Sequence, residues 1–256
     1  QFTRPSFSIS DDVKTADVVL GKRIFMVRAG CVDCHGESGA GAKVMENGPM
    51  GSIYGANITP YKLSSWSDEE IAGAIRYGIH KEGRSLRFMP AFDYAAVSKS
   101  DIAAVIAYVR TLKPVEQNSH VNTYGPMARI LSAWGQMPVM FPALAIDQTK
   151  GFASKPEEKL GPEFGQYLAG ACVGCHGSNY EGGKIPGGDP AWPPAANIRL
   201  GAKPDVWTEA KFKEMISSGM SVLTGQPLRA PMPVHLLKQL NEAEVTSLWI
   251  FLSSLK

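Results

Sequence analysis

The sequence predicts an all-α fold of two small helical domains, related by internal duplication and joined by an apolar linker. Three observations carry this. The pentapeptide Cys31-Val32-Asp33-Cys34-His35 recurs as Cys172-Val173-Gly174-Cys175-His176, and 172 − 31 sets the copies 141 residues apart. Apolar residues at helical spacing follow both copies in the same order. Finally, 256 residues with 44% hydrophobic and 20% charged side chains suit a globular chain of one large or two ordinary domains. The repeat decides for two. The expected domains are residues 1–118 and 159–256, with 119–158 between them.

C-x-x-C-H is the attachment signature of a c-type haem. Two cysteines three apart on a tight turn can add across the two vinyl groups of one porphyrin. The adjoining histidine is then held under the iron as proximal ligand. Cys31, Cys34 and His35 are thus assigned to one haem c, and Cys172, Cys175 and His176 to a second. The chain has four cysteines and the two motifs use all of them. Two disulfides would be strained across a two-residue gap and would leave the paired histidines unexplained. A four-cysteine zinc site would require both halves to converge on one metal.

Taken in order, residues 1–14 are expected to form an irregular arm. Thr15 to Gly30 reads as a first helix with Val18, Val19, Ile24, Phe25 and Val27 as its core face. A glycine-rich loop after His35 is expected to wrap the macrocycle. Trp66 precedes a helix opened by the capping pair Ser67 and Glu70. The last helix of the half starts near Ser98 and carries Ile102, Val105, Ile106, Val109 and Leu112, until Pro114 stops it. The linker contains Tyr124, Trp134 and Phe141, and is too apolar to swing freely in water. It is expected to pack between the domains or along a partner. The second half repeats the order, with a short helix over Gly161–Ala171, a helix from Thr208, and a closing stripe opened by Asn241 and Glu244.

Met89-Pro90 and Met232-Pro233 occupy matching places between a middle and a terminal helix. A thioether is a soft neutral donor that favours Fe(II), so Met89 and Met232 are assigned as sixth iron ligands. Core packing is the commoner fate of any single methionine. Met50, Met220, His80, His120 and His235 compete for the role, and the three histidines have no counterpart in the other half. Trp66 and Trp207, with Asn57 and Asn197, are candidates to donate N–H groups to haem propionates, against a bland reading as wall packing. Arg84, Arg87 and Arg229 are the candidate propionate cations.

Tyr54-Gly55-Ala56-Asn57-Ile58-Thr59-Pro60, Trp66-Ser67-Asp68-Glu69-Glu70 and Met89-Pro90 together resemble the cytochrome c subunits of membrane-bound alcohol, aldehyde and gluconate dehydrogenases. The resemblance covers most of residues 16–150 and, more loosely, 159–256. It implies class I cytochrome c domains and electron transfer in the periplasm. Those subunits usually carry three haem motifs and a C-terminal membrane anchor, whereas this sequence has two motifs and ends at Lys256.

The expected function is single-electron transfer between a donor dehydrogenase or quinol-linked complex and an acceptor oxidase or cytochrome. The rival is a di-haem redox enzyme, of peroxidase or thiosulfate-dehydrogenase type, with one open or displaceable iron site and His80, Glu82 or His235 as acid/base. The matched methionines favour a carrier over an enzyme. Net charge is +2, and four propionates bring it to about −2, so nucleic acid has no electrostatic attraction to this chain. The sequence opens Gln1-Phe2-Thr3 without a starting Met or leader, as expected of an exported, processed chain. The uncharged run Ile130–Ile146 holds Gly135, Pro138 and Pro142 and is not expected to span a membrane. Peripheral association with a membrane complex is compatible with that reading.

Overall fold

Side-chain caps decide where the main helices begin. Ser67 accepts from the Glu70 N–H while Glu70 reaches back to the Ser67 N–H, and Asn241 and Glu244 form the same reciprocal pair. Ser98 and Thr208 cap two further helices through the N–H groups of Asp101 and Lys211. All four starts are where the sequence predicts them.

The computed structural model describes residues 1–117, 120–186, 188 and 192–256, so the expected boundary between 118 and 119 lies outside the described residues. The chain divides into two compact units, Gln1–Lys155 and Pro156–Lys256. In the first unit the helices are α1 (Ser10–Thr15), α2 (Val18–Arg23), α3 (Cys31–His35), α4 (Pro60–Leu63), α5 (Asp68–Tyr77), α6 (Lys99–Thr111), α7 (Pro126–Ala133) and α8 (Pro142–Ala145). The second unit holds α9 (Pro162–Ala169), α10 (Val173–His176), α11 (Glu209–Ser218), α12 (Val234–Leu237) and α13 (Glu242–Ser254).

Each unit is built on a crossing of two helices far apart in its sequence. In the first, α2 meets α6 at Gly21, where a Cβ would stand 1.9 Å from the Ala104 carbonyl oxygen. In the second, α9 meets α13 at Gly165, where a Cβ would stand 1.9 Å from the Ser247 carbonyl oxygen. Only glycine permits that approach. Around the first crossing Ile24, Phe25, Ile102, Ile106 and Val109 are buried with Leu63, Ile71 and Ala72. Each such side chain contributes about 1.5–3 kcal/mol by leaving water. Phe164, Phe212, Ile216, Leu248, Phe251 and Leu252 are the counterparts in the second unit.

Three features differ from the sequence expectation. The arm contains α1, and Ile9 ahead of it is fully buried in the first core. The predicted first helix breaks at Ala16–Asp17, where the Asp17 carboxylate caps α2, and finishes as a π-turn over Ile24–Arg28. The glycine-rich loop includes a hairpin, β1 (Lys43–Asn47) antiparallel to β2 (Gly51–Tyr54), and β3 (Thr123–Tyr124) extends it to three strands.

The stretch read as a linker packs largely on the first unit. Ala143 and Ile146 are buried with Tyr77, Ile79 and Ala91, while Ala128, Met137 and Met140 are buried beside Phe88, Tyr124 and Leu131. Residues 130–146 form the end of α7, a 3-10 turn over Pro138–Met140, and α8. Among the described residues no helix is long and apolar enough to cross a membrane.

Candidate haem-attachment sites

Both C-x-x-C-H motifs fold into one short helical turn. The turn exits through Gly36 or Gly177, whose N–H bonds back to the Val32 or Val173 carbonyl. Those glycines have φ of 70° and 77°, a left-handed geometry that ends the turn directly after the histidine. The four cysteines are partly buried and none is paired in a disulfide. Burial pushes the Cys31 thiol up to about 12 and the Cys172 thiol up to about 11. Neutral thiols in apolar surroundings suit a porphyrin edge better than a thiolate metal centre. Among the described residues no three His, Cys, Asp or Glu side chains converge on a metal ion.

The histidines are the most informative side chains. His35 Nδ1 lies 2.8 Å from the Ala56 carbonyl oxygen, and His176 Nδ1 lies 2.7 Å from that of Ala196. A carbonyl can only accept, so each Nδ1 carries the proton and each Nε2 keeps its lone pair for a metal. Burial also lowers the pKa of His35, which keeps the ring neutral. The residues present therefore fit a haem iron bound through Nε2.

The loop that supplies each carbonyl is pinned over its motif. In the first unit the Gly41 N–H donates to the His35 carbonyl at 2.9 Å and the Ala42 N–H to the Cys34 carbonyl at 2.9 Å. A Cβ on Gly55 would sit 1.7 Å from the Cys34 carbonyl oxygen, so the loop closes down on the attachment turn there. The Gly182 N–H donates to the His176 carbonyl at 2.8 Å, repeating the first of these bonds.

Met89 and Met232 sit in matching turns. In each, the methionine carbonyl accepts from the N–H two residues on, Ala91 at 2.8 Å and Val234 at 2.9 Å. Each turn hangs from a matching narrow loop, with Leu86 N–H to the Gly78 carbonyl at 2.7 Å and Leu228 N–H to the Gly219 carbonyl at 2.8 Å. The competing histidines are engaged elsewhere or exposed. His80 packs edge-on against Trp66 with ring centroids 4.7 Å apart, His120 lies 4.5 Å from the Tyr54 ring, and His235 is exposed.

Some assigned residues have other roles. Both amide hydrogens of Asn57 are taken, by the Val115 carbonyl at 3.0 Å and the Gln117 carbonyl at 2.7 Å, and its oxygen accepts from the Thr59 N–H and hydroxyl. Asn57 is thus a buried clamp between the haem loop and the exit of α6, not a propionate donor. Asn197 is exposed, and its oxygen accepts from the Arg199 N–H. Arg87 lies over the rings of Tyr124 and Phe141, at 5.4 and 5.7 Å, and Arg84 stands 3.7 Å from Glu82. Arg229 is exposed, while Trp66 and Trp207 are partly buried at the edges of their cores.

Tyr94 was not legible in the sequence. Its hydroxyl donates to the Ala29 carbonyl at 3.1 Å, tying the chain after Met89 to the residues ahead of Cys31. Burial, with the nearby Cys31 and Cys34, pushes its pKa well up, so the phenol keeps its proton. The glycines of the two helix crossings were equally missed, although Gly21 and Gly165 sit inside predicted helices where glycine costs stability without a packing reason.

The sequence profile of the cytochrome c family matches residues 18–113 and again residues 162–256. The chain belongs to the cytochrome c family. Each cytochrome c unit carries one covalently attached haem c, and the function is electron transfer. The chain is 29% identical over 88% of its length to 20% of a nicotinate dehydrogenase subunit of Pseudomonas putida. It is 32% identical over 67% of its length to 41% of the gluconate 2-dehydrogenase cytochrome c subunit of Pantoea cypripedii. It is also 28% identical over 63% of its length to 57% of a diheme cytochrome c-type protein of Cereibacter sphaeroides. The chain thus spans less than two thirds of each of these relatives.

Proposed function

We propose that this cytochrome c works in the periplasm, taking single electrons from a dehydrogenase and passing them to a downstream acceptor. Met89 and Met232 complete the two sets of iron ligands in this reading. The observation that carries it is the doubled arrangement of a carbonyl-held histidine and a Met-Pro turn hung from a narrow loop. Haem c, when bound, supplies a one-electron Fe(III)/Fe(II) couple.

The chain's own residues set the conditions for that couple. The Ala56 and Ala196 carbonyls orient both imidazoles through Nδ1 and leave Nε2 as the donor toward a metal. The methionine thioethers add a soft neutral ligand that favours the reduced state. A haem iron held by both a histidine and a methionine would have no place left for a substrate. Trp66, Trp207 and Asn197 remain the proposed propionate donors. A dehydrogenase as donor is supported by two relatives that are named as dehydrogenase subunits.

The absorption spectrum of the ferric holoprotein tests the ligation. A methionine-to-iron charge-transfer band that halves in Met89→Ala, and halves likewise in Met232→Ala, supports the reading. A high-spin signal from either haem in the unaltered protein, or turnover with peroxide, overturns it in favour of a di-haem enzyme. Reduction of the holoprotein by a purified dehydrogenase with its substrate tests the donor.

A further inference from the structure

The segment between the two cytochrome c matches turns a second face outward. Its inner side is fixed, because Ala128, Met137 and Met140 are buried beside Phe88. On α7, Met127 and Ile130 are each 46% exposed, and Trp134, which ends the helix, is 73% exposed. Positions i, i+3 and i+7 share one helix face, so these three form a single apolar stripe. On α8, Leu144 is 72% exposed.

Two arginines frame this face. Arg87 lies over both the Tyr124 and Phe141 rings, and Phe141 directly precedes α8. Arg129 is exposed on α7 and donates through Nε to the Tyr124 carbonyl at 3.0 Å. Tyr124 therefore joins the start of α7 to the start of α8 through two guanidinium groups. From residue 117 to residue 146 the chain has no Asp or Glu. An apolar face with a basic rim and no acid on its own segment is complementary to one kind of surface, a bilayer that carries anionic headgroups.

We propose that the outer face of α7 and α8 docks this cytochrome c on an anionic lipid bilayer. Trp134 and Leu144 enter the interface, and Arg87 and Arg129 meet lipid phosphates. Tryptophan suits the headgroup boundary because its ring is apolar and its N–H is polar. The projecting side chains stand on a helix end and a one-turn helix. Fluid lipid can conform around such projections.

Co-sedimentation of the holoprotein with lipid vesicles is the test. The protein is expected to pellet with vesicles containing about a third phosphatidylglycerol, less with pure phosphatidylcholine, and less as salt rises. Trp134→Ser combined with Leu144→Ser is expected to weaken partitioning by about tenfold or more. Arg87→Gln with Arg129→Gln is expected to remove the preference for anionic vesicles. An unchanged haem spectrum and unchanged reduction by ascorbate show that a variant is folded, and they keep this test separate from the electron-transfer reading. Failure of the unaltered protein to pellet with anionic vesicles overturns the proposal, and so does undiminished pelleting of the Trp134/Leu144 variant. A concentration-dependent dimer lost in that variant also overturns it, by assigning the face to a second copy of the chain.

Discussion

The two units share a scaffold and differ in what braces it. Both cross an early and a late helix at a glycine and both hold a histidine by a peptide carbonyl. In the first unit the methionine turn is also tied from outside. Phe88 donates its N–H to the Val139 carbonyl at 2.8 Å, and Tyr94 bonds the following chain to Ala29. Around Met232 the backbone bonds are local, such as its own N–H to the Arg229 carbonyl at 3.1 Å, and Val234-His235-Leu236-Leu237 supplies no phenol. Duplication copied the parts that hold a haem. Among the described residues, the segment 126–153 braces the first copy and has no counterpart in the second.

The largest expected effect asks whether the shared crossing is one device used twice. Gly21→Ala and Gly165→Ala each force a carbonyl away from a new Cβ, and each is expected to cost about 2–4 kcal/mol. Denaturant unfolding followed through each haem should find similar losses, and a clear inequality would break the equivalence. Next comes the asparagine pair. Asn57→Ala leaves the buried Thr59 N–H and the Val115 and Gln117 carbonyls of two part-buried bonds without partners and is expected to cost about 1–3 kcal/mol. Asn197→Ala at an exposed site should stay within about 0.5 kcal/mol in the same measurement.

A smaller difference should separate the methionine turns. The two additional tertiary hydrogen bonds are together worth about 1–3 kcal/mol, so imidazole is expected to displace Met232 at about a tenfold lower concentration than Met89. Equal midpoints in a spectroscopic titration would remove the brace from the comparison. The smallest effect concerns acid. Burial pushes the Glu69 carboxyl up, but hydrogen bonds from the Ile9, Glu69 and Ser10 N–H groups and the Ser10 hydroxyl outweigh it and hold the pKa at about 2, against an ordinary 4.5. A depressed carboxylate stabilises the fold above its unfolded pKa and loses that contribution as pH falls from 4.5 through 2. The matching position in the second unit is Ala210. Glu69→Gln is therefore expected to flatten the acid dependence of the first unit and leave the second unchanged.

What was legible in the sequence was local or repeated. The haem motifs, the capping pairs and the Met-Pro turns each announce themselves within a few residues, and the duplication sorts matched methionines from unmatched histidines. What was hidden depends on distant partners. The Gly21 side of a helix looks like any glycine until Ala104 is laid against it. The β1–β2 hairpin lay inside a glycine-rich loop whose strands are short, and β3 reaches it from far along the chain, as the Ser52–Thr123 register shows. Asn57 reads as a polar residue near a haem, but its partners Val115 and Gln117 come from beyond α6. The linker carried an apolar composition without a period, so the sequence said that it packs and not against what.

The helix crossings also govern when each unit can mature. Gly21 needs Ala104, and Gly165 needs Ser247, so neither crossing closes before α6 or α13 has been made. Pairing of segments far apart in sequence is slow compared with forming a local turn. The attachment cysteines sit near the start of each unit, on a turn that needs only its own neighbours. Deleting 242–254 is accordingly expected to leave haem attached at Cys172 and Cys175, read by mass, in a unit that protease now cuts. Each unit leaves an interval in which its thiols can be reached, and the helix that completes its crossing brings that interval to an end.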